Sequence, residues 1–181
     1  MSLRISPMDR RRLVDLRPPP PEKTRWPWTQ SDVRPAPTSE SFAWPRVTVV
    51  TPSFNQGAFI EETIRSVLLQ DYPNLEYLIV DGGSTDSTLE VIKAYEPWID
   101  YWVSERDRGQ THAINKEFAR ATGEILAWLN SDDTFEPLAI RTVVQRMIAT
   151  GGVLPRDLGR LRRTRKTAEL LLNVSHIPLA V

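Results

Sequence analysis

The sequence predicts an α/β fold, a mostly parallel sheet with helices on both faces, and three observations lead there. From Arg46 onward, short β-branched runs alternate with stretches whose apolar residues recur at helical spacing. Several of the predicted strands end in compact polar clusters. The last of them, Leu126-Ala127-Trp128-Leu129-Asn130, runs directly into Ser131-Asp132-Asp133. Strands alternating with helices imply parallel pairing, with both faces covered.

The elements follow in order. Val47–Thr51 is a β-branched run that Pro52 is expected to stop, and Phe59–Gln70 places Ile60, Ile64, Val67 and Leu68 on one helical face. Glu76–Val80 forms a second strand ending at Asp81-Gly82-Gly83, and Asp86 can cap a helix carrying Leu89, Ile92 and Tyr95. Asp100–Ser104 is a short third strand, 110–121 a third helix and Ile125–Asn130 the fourth strand. Pro137–Ala149 is expected to be a fourth helix with proline in its first turn.

Outside this block the composition changes, which divides the chain into 1–45, 46–150 and 151–181. Residues 1–45 hold nine of the fifteen prolines and no sustained period, the signature of an extended or disordered arm. Trp26, Trp28 and Trp44 are unusual in such a segment and are expected to bring part of the arm against the domain. Beyond Gly151-Gly152 the pattern weakens, and no later stretch reads as a strand. Leu158–Leu172 has the pattern of a basic amphipathic helix, either a solvated tail or a peripheral membrane contact.

Charge excludes one class of partner. The chain balances at 23 basic and 23 acidic residues, yet residues 46–149 carry nine basic and sixteen acidic, a net charge of −7. A nucleic-acid surface would cluster Lys and Arg, so no nucleic-acid partner is expected, and the acidic core suits cations or a substrate that arrives with one. With no cysteine and two histidines, disulfides, thiolate sites and a His-rich zinc site are excluded. No apolar run is long enough to span a bilayer and no signal peptide is visible, so the expected location is cytoplasmic, with the inner membrane face as the one peripheral option.

Three clusters carry the chemistry: Pro52–Gly57, Asp81–Asp86 and Ser131–Asp133. In a parallel sheet the carboxyl ends of the strands share one edge, so the clusters should converge there, as a nucleotide site requires. The acid pair has two readings. Asp132 and Asp133 are turn residues before a helix, or they share a hard divalent cation that bridges phosphate oxygens. No G-x-G-x-x-G follows a strand and no G-x-x-x-x-G-K-[ST] occurs, so phosphate charge would be handled by metal.

Residues 47–135 resemble the nucleotide-binding half of a family 2 inverting glycosyltransferase with the GT-A fold. The resemblance is carried by Val49–Gly57, Glu61–Gln70, Asp81–Asp86, Ser104–Gln110 with Ala113–Lys116, Ala121–Glu124 and Trp128–Asp133, in unbroken order. It implies that Pro52, Ser53 and Phe54 contact the nucleotide and that Asp81 binds the base or ribose. It also implies that Asp133 is a direct ligand of Mn2+ or Mg2+, with Asp132 nearer the ribose or sugar. Asp107, Gly109 and Asn115 lie in a stretch that approaches the donor in relatives, though Asp107 could equally cap the following helix and Asn115 could serve a structural hydrogen bond. His112 is assigned to a helix surface. The implied donor is a UDP-sugar and the implied acceptor a glycan or lipid-linked glycan in polysaccharide synthesis.

The resemblance also implies an acceptor half with a catalytic base. After Asp133 come 48 residues whose acids are Glu136, Asp157 and Glu169, none in the family's position, so the catalytic base is not assigned. A truncated or frameshifted chain is expected, with the fold incomplete at its C-terminus and an unpaired sheet edge after the fourth strand. Two other classes stay open: a nucleotide-sugar-binding module without transfer activity, and a nucleotidyltransferase, against which the lack of a Gly-rich basic loop counts.

Overall fold

Seven consecutive buried residues, Val47–Ser53, form β1 at the centre of the sheet, as expected for a strand covered on both faces. The computed structural model describes residues 16–29, 43–106, 118–150 and 173–174. On one side β1 pairs in parallel with β2 (Leu75–Asp81), and on the other with β4 (Ile125–Trp128). Outside β2 lies β3 (Tyr101–Ser104), also parallel. The short β5 (Asn173–Val174) runs antiparallel to β4, giving the order β3-β2-β1-β4-β5.

Two expectations about the strands are corrected. Pro52 does not stop β1, which continues to Ser53 opposite Asp81. The carbonyl of Val50 accepts from Leu129 N on the β4 side, so Pro52, two residues on, turns its nitrogen to the same side, past the last β1–β4 pair at Val50 and Trp128. A residue without an N–H is tolerated there because no ladder partner remains. The edge beyond β4 is not left open along its whole length either, since Val174 and Asn173 pair with Ile125 and Leu126. Two residues are too few to show a period of 2, so the sequence pattern could not reveal them.

Three helices, α1 (Ile60–Leu68), α2 (Thr88–Tyr95) and α3 (Ala139–Ala149), share one apolar cluster with alternate strand residues. Val47, Val49, Tyr77, Ile79, Ile125 and Ala127 meet Ile64, Ile92, Ile140 and Val144 there. Val50, Leu78 and Val80 point to the other face, where Phe118, Ala121 and Trp128 pack on them. The expected third helix falls mostly on 107–117, outside the described residues. Helix α3 begins at Ala139 rather than Pro137, because Leu138 takes a left-handed conformation with φ 60° and delays the first helical turn. The N-cap of α2 is Ser87 rather than Asp86; Asp86 stands one residue before it, and its Oδ1 accepts from Thr88 N at 3.0 Å.

The amino ends of the central strands are fastened by one carboxylate. Glu76, buried on β2, accepts from Arg46 Nη2 (3.0 Å), Thr48 Oγ1 (2.5 Å), Thr122 N (2.8 Å) and Thr122 Oγ1 (2.7 Å). Burial opposes its ionisation, but hydrogen bonds from Thr48 and Thr122 and the charge of Arg46 outweigh it and hold the carboxyl below its ordinary value. Gly123 fits only because it lacks a side chain: a Cβ would sit 2.7 Å from Thr48 N and 2.9 Å from Arg46 O.

Residues 16–29 lie against α1. The Arg65 side chain, fully buried, donates to the carbonyls of Arg17 (2.8 Å), Pro27 (3.1 Å) and Trp28 (3.2 Å) and to Tyr95 Oη (3.1 Å). Its guanidinium lies 5.0 Å from the Trp28 ring centre. Leu16 and Trp28 are buried, and Trp44 packs edge-on against Tyr72, so the tryptophans do bring part of the arm onto the domain. Among the described residues no helix is long and apolar enough to cross a membrane.

Candidate functional site

The strand order reverses direction at β1. Consecutive strands step from β1 to β2 to β3 on one side, and then the chain crosses to β4 on the other. In an open parallel sheet the crevice for a ligand lies outside the carboxyl ends at such a reversal, here between the loops after β1 and β4. Those loops are Phe54–Gly57 and Asn130–Asp133, and two of the three polar clusters therefore flank the crevice.

The first two clusters are joined directly. Asn55, in a left-handed conformation with φ 53° that Asn tolerates, donates from its backbone to Ser84 Oγ (2.7 Å). Its side-chain Oδ1 accepts from Thr85 N (2.9 Å), and the backbone of Gly57 donates to Asp86 Oδ2 (2.9 Å). Hydrogen bonds from Thr88, Gly57 and the Thr88 backbone lower the pKa of the exposed Asp86.

Asp81 is fully buried and organises its own turn. Its Oδ2 accepts from Gly83 N (3.0 Å), Ser84 N (2.8 Å) and Ser104 Oγ (2.6 Å), and its Oδ1 from Ser84 Oγ (2.5 Å). Gly83, with φ 85°, supplies the positive dihedral that folds two amides onto one carboxylate. Asp81 thus ties the ends of β2 and β3 together beside the crevice.

The remaining candidates divide by exposure. Pro52 is buried within β1, and the buried Ser53 hydroxyl makes no hydrogen bond with the described residues. Phe54, immediately after the strand, is 58% exposed. Asp132 is exposed at the tip of the third cluster, whereas Asp133 is 3% exposed beneath it. Asn130 Nδ2 donates to Asp133 Oδ2 (3.1 Å), and Thr63 Oγ1 of α1 donates to the Asp133 carbonyl (2.7 Å). Asp107, Gly109, His112 and Asn115 lie outside the described residues.

Side chains that the pattern reading missed hold the acidic turn from below. Ser66 Oγ accepts from Phe135 N (3.1 Å), and Gln70 Nε2 donates to the Glu136 carbonyl (2.9 Å). Thr63 and Ser66 are polar positions on an otherwise apolar face of α1, and Gln70 follows just past its end; all three are buried. Their polarity at buried spacing is the one sequence signal that could have marked them.

Among the described residues no group of three or more His, Asp or Glu side chains gathers to enclose a metal. Two adjacent carboxylates nevertheless suit a hard divalent cation that takes its other ligands from phosphate oxygens and water.

Comparison with known proteins agrees with this geometry. The sequence model of glycosyl transferase family 2 matches residues 48–165, more than half of the chain. Over 111 residues the chain is 36% identical to an uncharacterised glycosyltransferase of Mycobacterium tuberculosis, covering 60% of this chain and 42% of that one. Over 96 residues it is 42% identical to the putative teichuronic acid biosynthesis glycosyltransferase TuaG of Bacillus subtilis, covering 51% and 38%. The chain thus spans less than half the length of these relatives. Among solved structures, a mannosyltransferase of Pyrobaculum calidifontis in complex with GDP-Man and Mn2+ superposes with a TM-score of 0.50 at 35% identity, over 61% of this chain and 33% of that one. TarS of S. aureus superposes with a TM-score of 0.54 at 24% identity, over 57% and 32%, a likeness of fold. Sheet order, crevice and family match coincide, and the chain belongs to glycosyl transferase family 2, with the GT-A fold.

Proposed function

We propose that this chain carries the donor-binding part of an inverting glycosyltransferase, holding a nucleoside-diphosphate sugar in the crevice between β1 and β4. The observation that carries the reading is the acid pair in the loop after β4, the strand beside β1 at the reversal in strand order, so that it follows the same sheet edge as the Ser53–Phe54 loop. The exposed Phe54 ring offers a face for the base, the Ser53 hydroxyl a hydrogen-bonding group, and Asp81 the firm turn beneath the nucleoside. Asp107 and Asn115 complete the proposed donor contacts.

Asp133 and Asp132 would hold Mn2+ or Mg2+. When bound, the cation supplies charge neutralisation on the departing diphosphate. The chain's own part is to fix that turn: Thr63 and Asn130 hold Asp133 so that its carboxylate does not swing with the exposed tip. Transfer with inversion joins an acceptor hydroxyl to the anomeric carbon as the bond to diphosphate breaks, and the proton leaves to a base that has no assignment in this chain.

Two donors are in view. A UDP-sugar follows from the sequence resemblance, whereas the 35% identical mannosyltransferase was solved with GDP-Man. The proposed acceptor is a growing or lipid-linked glycan, by likeness to a GalNAc(5)-diNAcBac-PP-undecaprenol β-1,3-glucosyltransferase of Campylobacter jejuni at 28% identity. A basic tail could then approach the membrane that holds such an acceptor.

The test is calorimetric titration of the chain with UDP and GDP, with and without Mn2+. Binding that needs the metal and disappears in Asp133→Asn supports the reading, and the preferred nucleotide selects the donor class. Asp132→Asn is expected to weaken binding less than Asp133→Asn. Folded protein that binds neither nucleotide sinks the proposal. Transfer to a glycan acceptor, followed by nucleotide release, separates an enzyme from a binding module.

A further inference from the structure

We infer that Trp26, in the N-terminal segment, is a positioning residue for the acidic turn after β4. Among the described residues, four side chains hydrogen-bond to the backbone of the turn. Three come from α1 and the residues just after it: Thr63 to the Asp133 carbonyl and Ser66 from the Phe135 N–H on one helix face, and Gln70, two residues past the helix end, to the Glu136 carbonyl. The fourth comes from a residue 109 positions away, as Trp26 Nε1 donates to the Phe135 carbonyl at 2.8 Å.

The segment that delivers Trp26 is fastened to the same helix. Arg65 sits between Thr63 and Ser66 in sequence, and its fully buried guanidinium takes the carbonyls of Arg17, Pro27 and Trp28 as acceptors. A buried guanidinium must find acceptors for its fixed fork of donors, so this docking is specified rather than incidental. Helix α1 therefore acts as a strut. One side carries the acidic turn, the adjacent side carries the arm, and the arm reaches back through Trp26 to close the loop.

The mechanical consequence is a coupling between arm and site. If the arm fixes the backbone of Phe135, two residues after Asp133, then any ligand that engages the acid pair must in turn steady the arm, because coupling of binding free energies is reciprocal. The ligand half of this inference rests on the donor-site reading above, and the arm–turn half stands on the hydrogen bonds alone.

The experiment uses the full chain and Trp26→Phe, which deletes the indole N–H and keeps an aromatic ring. Hydrogen exchange is measured well below the melting temperature. The amides of Asp133 and Phe135 are expected to exchange about tenfold faster in the variant, while those of Val49 and Ile79 in the central strands stay unchanged. In parallel, the affinity for UDP or GDP with Mn2+ is expected to fall about five- to tenfold, with a larger Mn2+ requirement, a shift that mere loss of global stability would not produce. A third readout needs no variant: saturating nucleotide with Mn2+ should slow tryptic cleavage after Lys23 and Arg25.

Equal exchange in the two proteins overturns the arm–turn coupling. Faster exchange with unchanged affinity and unchanged cleavage overturns the positioning role. Should the unmodified chain bind neither nucleotide, the donor reading falls, and exchange alone decides whether Trp26 holds the turn. Should Trp26→Phe fail to fold, cleavage of the unmodified chain with and without nucleotide decides the coupling.

Discussion

Replacing Glu76 with Gln tests the account of how the sheet is tied together. Four donors converge on this buried carboxylate: one from Arg46, one from Thr48 and two from Thr122. Hydrogen bonds to a charged group are worth about 1.5–3 kcal/mol each in net terms. Gln keeps one acceptor oxygen and turns an NH2 toward groups that are themselves donors. The Arg46 side chain is 35% exposed and can rehydrate, which lowers the expected loss to about 2–4 kcal/mol at pH 7. The melting temperature should fall by about 2–4 °C for each kcal/mol. The sign of the pH dependence is fixed. The folded carboxyl titrates below its ordinary 4.5, so the stabilisation is complete above that value and is lost as pH falls through the folded pKa, where only the unfolded chain has already taken up the proton. Urea titrations of both proteins between pH 7 and pH 3 check this: the gap between them should be widest near neutrality and close on acidification below about 4.5. A gap under about 0.5 kcal/mol at pH 7, the range of ordinary surface changes, or one that stays constant into acid, would refute the reasoning.

Other outcomes follow from the same geometry. Gly123→Ala places a methyl against the strand backbone at Thr48 and Arg46 and should cost about 1–3 kcal/mol in urea denaturation. Arg65→Met removes the three hydrogen bonds that hold the arm's carbonyls on α1 and leaves the partly exposed Lys23–Glu62 pair (3.7 Å) as the remaining arm–α1 polar contact among the described residues, so cleavage by trypsin after Lys23 and Arg25 should accelerate severalfold; an unchanged rate would show that the arm docks without it. Phe54→Ala should leave the melting temperature within about 1 °C, because the ring is exposed, while weakening nucleotide binding about two- to tenfold. Equal affinity in calorimetry would remove Phe54 from the site.

The parts legible in the sequence are those governed by local period. Alternation of β-branched and helical stretches located four strands and three helices within a few residues, and the acid pair after Leu126–Asn130 pointed to the carboxyl edge where it now lies. The illegible parts depend on distant partners. Nothing local marks Arg65 as the anchor for carbonyls 37 to 48 positions earlier, or Trp26 as the donor to Phe135. Asp81 resembles a nucleotide contact in pattern, yet the fold commits most of its lone pairs to its own turn, a distribution that only the three-dimensional path of Gly83, Ser84 and Ser104 reveals. Pro52 misled in the opposite direction, since a proline ends a strand only when a neighbour needs its N–H.

That proline has a further effect. Any other residue at position 52 would present an N–H toward the β4 side, aimed at the floor between the two loops. The donor would either sit there unanswered, at a penalty of about 1–3 kcal/mol, or draw a carbonyl from the chain after Trp128 and zip the two strands one step further. Proline forbids the zipper. The β1–β4 ladder ends at Val50 and Trp128, and Pro52→Val would supply the donor that one more rung needs without touching a single charged group.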